Sequence, residues 1–349
     1  MSLDRAELQD SARRMFGEAG LAPDRAANWS LIAEMGWLGL TAPEALGGLG
    51  QGREALATLY LELGRVLAPT PVLPALMAVE AVAKGEDLRA RPAWIERLVG
   101  GEKATVSLKG GSVQIGETPK HGIAVTGNLT AVPDADEASH LVIWADDGGI
   151  CGLLPLNQPD FVEVTPRETW DKSRRLFDVD IIGAALKPEL IMARDDEAED
   201  LVRDLQTHLL FGLAADSIGG AAAALEMTVD YLQTRKQFAR PLAMFQALKH
   251  RCADLKAQIS SAEALLWSVA GQRGVQDPLV QAAGLKAYAT SVFHAVAEEA
   301  IQLHGGIGLT AEHPCHLFLK RALLNEALAG GVDAWDAVVG ADALERLAS

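Results

Sequence analysis

Basic residues are in short supply: 31 Lys and Arg face 47 Asp and Glu, leaving a formal net charge of −16. That balance repels nucleic acids and anionic membrane surfaces, and excludes both as partners. An anionic small ligand would need local positive charge or backbone N–H groups. Aromatic residues make up only 5% of the chain, and β-branched residues are few, which argues against an all-β protein. Cysteine is rarer still. Cys151, Cys252 and Cys315 share no metal-ligand spacing and read as reduced thiols, with Cys252 in a helix core. No basic-then-apolar leader and no apolar run of membrane-spanning length is visible, so the expectation is a soluble, cytoplasmic protein.

What is abundant is Ala and Leu, in a chain of 349 residues that is 49% hydrophobic. Such a chain buries a large core and suits packed helices. Helical patterns cover residues 4–19, 24–35, 53–66 and 75–83, with a Gly-rich loop with one Pro at 36–50 (GWLGLTAPEALGGLG) that reads as a structural connection. From Lys103 the texture changes to short strand-like runs at 104–108, 113–115, 123–126, 140–144, 152–154, 162–165 and 177–182. Beyond Ala193 the pattern is helical again. Acids at 195–200 suit a first turn. Residues 201–234 read as one long helix with a break expected near Gly219-Gly220, followed by helices at 245–269, 278–303, 314–328 and 332–347. The fold class is therefore mainly α with a small β-domain: an N-terminal helical domain (1–102), a middle barrel or sheet (103–190) and a C-terminal four-helix bundle (191–349).

Two stretches carry candidate chemistry. Residues 300–314 (AIQLHGGIGLTAEHP) end a helix with paired glycines; Gly305 and Gly306 permit positive φ and close approach of a ligand to the backbone, with Gln302 and His304 beside them. A bare Gly-Gly is better explained as a helix C-cap with a Gly-rich turn. Residues 235–254 (RKQFARPLAMFQALKHRCAD) join two long helices through Pro241. Arg235 offers a fixed fork of donors suited to a pyrophosphate, and Gln237 and Gln246 add neutral donors, although a helix-ending Arg also serves as a solvated cap.

Together, and in this order, the two stretches resemble the C-terminal motifs of acyl-CoA dehydrogenases, Arg-x-x-Phe-Gly…Phe-Gln…Ala-Asp and Ile-Gln-x-x-Gly-Gly-x-Gly. The 36–50 loop resembles that family's N-terminal Gly-Leu-x-Gly-Leu-x-x-Pro-Glu-x-x-Gly-Gly-x-Gly element. One departure is Ala239, where the family usually has Gly. The resemblance covers nearly the whole chain. It implies that Arg235, Gln237, Phe238, Gln246, Gln302, Gly305 and Gly306 reach across a subunit interface towards a neighbour's FAD.

The family's reaction needs a carboxylate to take the α-proton of an acyl-CoA thioester while hydride leaves for the flavin. An ungapped count from Gly305-Gly306 puts Ala329, within 328–331 (LAGG), at the family's Glu position. The family's alternative position, on the helix before Arg235, falls at Leu209-Leu210. Glu326, one turn before Ala329, is a weak candidate base that also reads as a solvated helix charge. The flavin slot departs as well. Residues 106–112 (VSLKGGS) stand where the family has Thr-Glu-x-x-x-Gly-Ser-Asp. Residues 127–134 (GNLTAVPD) put Ala131 and Pro133 at the places of a flavin-packing Trp and Thr. His208, His250, His294, His313 and His316 read as isolated along helices, so no metal is expected.

The resemblance is closest to the degenerate, base-lacking subunits of heteromeric bacterial steroid-type dehydrogenases. It implies an α2β2 partner bearing the Glu, an FAD shared between subunits, an acyl-CoA substrate (steroid side chain or fatty acyl) and an electron-transfer flavoprotein as acceptor. Two other readings stay open: a self-sufficient homo-oligomeric enzyme using Glu326, and a non-catalytic acyl-CoA binder or scaffold. The acidic balance argues against the family's DNA-associated branch.

Overall fold

The computed structural model describes residues 5–108, 110–118, 122–271 and 277–348. Residues 1–4, read as the start of a capped helix, and Lys109, within the 106–112 stretch, lie outside them. Helices come first, sheets in the middle and helices last, as the residue patterning implies. By internal contacts the chain divides into two compact units.

The first unit gathers Asp24–Gly52 and Pro69–Leu209. It holds α2 (Arg25–Glu34), α4 (Val72–Lys84), α5 (Arg91–Val99) and eight strands. Asp24 caps α2, its carboxylate accepting from the Ala27 amide at 2.8 Å. One four-stranded sheet runs in the order β1 (Ala104–Val106), β4 (His140–Trp144), β5 (Ile150–Pro155), β8 (Ile191–Arg194). The other runs β2 (Gly110–Thr118), β3 (Gly122–Pro133), β7 (Leu176–Leu186), β6 (Val162–Arg167). Only β1 and β4 pair in parallel among the described strands. Each strand-like run in the sequence falls on one of these strands, although the run at 104–108 outlasts β1, which ends at Val106. The patterning did not show β8, a four-residue strand, or α5, whose Trp94, Ile95 and Leu98 form a narrow buried stripe behind Pro92 in the first turn. In the 36–50 loop, Trp37, Leu38, Leu40 and Ala42 are buried, and a side chain on Gly48 would meet the Ala42 carbonyl at 2.1 Å. Packing accounts for that loop.

The second unit gathers α1 (Arg5–Ala19), α3 (Arg53–Arg65) and the chain from Leu210 onward. Its helices are the remainder of α6 (Asp195–Thr234), α7 (Gln246–Gly271), α8 (Pro278–His304), α9 (Cys315–Ala327) and α10 (Val332–Ala348). α7 shows why the periodicity was readable: Leu255, Ile259, Ala262, Leu266 and Val269 recur on one face and are buried.

The break expected at Gly219-Gly220 does not occur, and α6 runs unbroken for 40 residues. Both glycines serve close packing. A Cβ on Gly219 would sit 2.0 Å from the Leu61 carbonyl of α3, and one on Gly220 would sit 2.5 Å from the Phe293 ring of α8. Residues 210–221 of α6 are all buried. By length and composition α6 would suffice to cross a membrane, against the expectation that no run is long enough, but 89% of its most apolar window is buried inside the fold. Cys252 is only partly buried, whereas Cys151 and Cys315 are buried, so the core thiols are those two.

Candidate functional site

α6 ends at Thr234, and the Arg235 amide still donates to the Tyr231 carbonyl at 2.8 Å. The chain then makes a two-residue hairpin, β9 (Lys236–Gln237) against β10 (Arg240–Pro241). The connecting Phe238 and Ala239 have φ of 52° and 60°. Left-handed geometry at both central positions is what the right-handed twist of a tight hairpin demands. The family's usual glycine meets that demand without strain; Ala239 meets it with a Cβ in the left-handed region. Arg240 stacks 4.0 Å over the Phe245 ring, and Phe238 meets Phe245 edge to face at 6.1 Å. This leaves Phe238 85% exposed at the hairpin tip. Arg235, Gln237 and Gln246 are exposed too.

At the end of α8, Gly305 takes φ 64° and ψ −145°, and its amide donates to the Gln302 carbonyl. A Cβ on Gly305 or Gly306 would meet nothing within 4 Å, and Gln302 is exposed. The backbone is open to an incoming ligand. The two motifs come together through an aromatic stack: Tyr231, one turn before Arg235, lies 4.5 Å from the ring of His304, the residue before Gly305. All seven residues assigned to an FAD clamp are thus solvent-facing, on two segments joined by that stack. Exposed donors beside an unobstructed glycine backbone fit an anionic dinucleotide.

The opposite chemistry prevails after α9. Ala329 has φ 55°, and it packs with Leu279, Trp335 and Val339 against buried Leu210, Ala282 and Ala283. Ala329 and Leu210, the places to which the count along the sequence assigns the family's two bases, therefore meet in one apolar cluster. Three hydrogen bonds pin the surrounding turn. Lys286, wholly buried, donates to the carbonyls of Glu326 (2.9 Å) and Gly330, and the Trp335 indole donates to the Ala329 carbonyl at 2.7 Å. Burial pushes the Lys286 ammonium down to about 8, against the pull of the Glu326 carboxylate. α9 itself is anchored by a buried pair: Arg321 donates to Asp216 of α6 at 3.1 Å and to the Ala68 carbonyl at 3.2 Å. Glu326 is partly buried and its carboxylate faces Nδ1 of His294 at 2.7 Å. His294 is therefore not isolated, contrary to the expectation from its spacing, and Glu326 is a paired rather than a freely solvated charge. His208 likewise pairs with Glu80.

In the first unit, Ala131 and Pro133 are buried, Ala131 at φ 54°. The Pro133 carbonyl accepts from the Thr105 hydroxyl at 2.7 Å. Directly after them an ion-pair network closes over the strand end: Arg25 binds Asp134 and Glu137, while Arg175 binds Asp134, Asp136 and Glu137. Buried small side chains under a network of charges do not present the stacking face that a flavin ring needs, so this part does not fit the group.

Comparison with known proteins gives a consistent picture. The domain family described as "Acyl-CoA dehydrogenase, C-terminal domain" matches residues 207–335, and its N-terminal counterpart matches residues 4–102. The chain is 32% identical over 310 residues to "Acyl-CoA dehydrogenase IpdE2" of Mycolicibacterium smegmatis, covering 88% of this chain and 84% of that protein. Among solved structures it is similar to the ChsE4-ChsE5 complex from Mycobacterium tuberculosis, with a TM-score of 0.86 and 25% identity over 99% of this chain and 98% of that one. It is also similar to a variant of the Tcur3481-Tcur3483 steroid ACAD, with a TM-score of 0.86 and 27% identity over 99% of both chains.

Proposed function

The chain belongs to the acyl-CoA dehydrogenase family of flavoprotein oxidoreductases, and from that membership we propose that it is the subunit lacking the catalytic glutamate, completing the FAD site of a Glu-bearing partner. The observation that carries this reading is Ala329. The family's carboxylate position holds a methyl group packed against Leu210, so the second base position is apolar as well. Neither side chain accepts a proton.

When bound, FAD supplies the hydride acceptor of the family's α,β-dehydrogenation. This chain's share is positional. Arg235, Gln237 and Phe238 grip and orient from the hairpin and Gln246 from the first turn of α7, while at the end of α8 Gln302 offers its side-chain amide and Gly305 and Gly306 let the ligand approach the backbone. The partner supplies the base and the face for the flavin ring. The three-part division at 102 and 190 carries over to this assignment, with the clamp wholly in the last part. The reading is also supported by the similar ChsE4-ChsE5 structure, a complex of two different chains, and by a steroid ACAD among the relatives. We assign the substrate class as acyl-CoA esters of bulky polycyclic acids, the assembly as α2β2, the electron acceptor as an electron-transfer flavoprotein and the location as cytoplasmic.

The test is colour and activity. Purified alone, the chain is expected to be colourless and inactive. Co-expressed with a Glu-bearing homologue, it should co-purify as a yellow complex that reduces a dye acceptor with a steroid-acyl-CoA. A yellow, active protein from this chain alone would overturn the proposal and return the base to Glu326. A complex that forms without flavin or activity would point to the scaffold reading.

A further inference from the structure

The sequence beyond the Gly-Gly motif carries a second feature that the clamp does not use. The chain leaves α8 at His304, turns through Gly305–Leu309, and enters α9 with His313-Pro314-Cys315. That turn folds His313 back onto His304, their ring centroids 4.4 Å apart, and Tyr231 contacts both rings, stacked on His304 at 4.5 Å and edge-on to His313 at 6.0 Å. Cys315, buried at the start of α9, completes the group. One ligand atom from each of His304, His313 and Cys315 lies within 4.8 Å of the others.

The protonation pattern of His304 is set by its neighbour. Nδ1 sits 2.7 Å from the Ala300 carbonyl, which only accepts, so the ring proton is on Nδ1 and the lone pair is on Nε2. Nε2 is buried and has no hydrogen-bond partner among the described residues. An imidazole whose N–H is held by a backbone carbonyl while its bare nitrogen faces other donor atoms has the arrangement of a metal-ligating histidine. His313 is oriented by the Cys315 amide, which donates to its Nδ1 over a long 3.2 Å. That weak contact occupies a lone pair that a cation takes readily.

We infer that His304, His313 and Cys315 form a three-ligand site for a borderline divalent cation of the zinc type, with a fourth position left for water. Two imidazoles and a thiolate are the donor set such ions prefer over magnesium or calcium. A tetrahedral ion with bonds of about 2.0–2.3 Å spans ligand pairs roughly 3.3–3.7 Å apart, so side-chain shifts of about 1 Å close the set. Binding releases the Cys315 proton to solvent and leaves a thiolate on the ion. The ion would brace the turn between α8 and α9, directly behind Gly305 and Gly306.

The test uses the full chain stripped of metal with a chelator and titrated with Co2+. Tetrahedral binding through sulfur should give intense visible d–d bands and a near-ultraviolet thiolate-to-cobalt band, saturating at one equivalent and abolished by Zn2+. Cys315→Ser should remove the ultraviolet band and weaken binding at least tenfold; His304→Gln should also weaken it at least tenfold. His316→Gln, a neighbour outside the set, should change neither. Circular dichroism on each variant separates loss of the site from loss of fold, and His313→Asn, at a partly exposed position, provides a third removal if either buried variant unfolds. A weak, pale octahedral spectrum that survives all of these substitutions would overturn the inference, as would no binding by the parent chain.

Discussion

Ala239 shows how much a single residue can reveal about a turn. Its φ of 60° follows from the two-residue hairpin, and the family's glycine would hold the same geometry without a Cβ clash. Ala239→Gly is therefore expected to stabilise the chain by about 1 kcal/mol, read as a higher urea midpoint with an unchanged slope. A lower midpoint would mean that the alanine methyl makes a contact worth more than the strain. At this scale the sequence was legible where residues act in a row: Arg235, Gln237 and Phe238 were readable as a unit because one hairpin carries them. It was opaque where the fold brings distant residues together. Glu80 and His208 meet across 128 positions, and His304, His313 and Cys315 converge only because a turn reverses the chain between two helices.

Among the elements, α6 departs most from its pattern. A glycine pair in a helical stretch signals either a break or a close approach, and local propensity does not separate the two. The partner helices decide, since Leu61 and Phe293 come too near for any side chain. Gly219→Ala is expected to lower stability by about 2 kcal/mol, because the obstacle is backbone and cannot rotate away. Gly17→Ala in α1, where a Cβ meets nothing within 4 Å, should raise it by about 1 kcal/mol through helix propensity alone. Thermal melts of the two variants side by side check both signs. Gly219→Ala melting at or above the parent would show that α6 and α3 have room to separate. The strands were legible because alternation and turn residues mark them locally. β8 was not, because four residues entering a helix carry too short a pattern.

For the whole molecule, the abundance of acids shapes its response to pH. Burial alone would raise the Glu80 carboxyl, but His208 and Lys84 outweigh it and hold it at about 2. A carboxyl depressed from 4.5 contributes stability that is complete above pH 4.5 and lost as pH falls towards 2. The acid limb of a melting-temperature profile should therefore be steep across that window and shallower in Glu80→Gln. Parallel profiles would place the acid sensitivity elsewhere.

The packing around Ala329 has a consequence for descent. Suppose the carboxylate were put back by one substitution. It would arrive among Leu210, Ala282, Ala283 and Trp335, where an ion is poorly solvated and its proton is held tightly. On the proposed reading, a route back to a self-sufficient active site must first reopen the space those neighbours fill, several changes that bring no benefit one at a time. If this chain depends on another as proposed, such packing makes that dependence a ratchet.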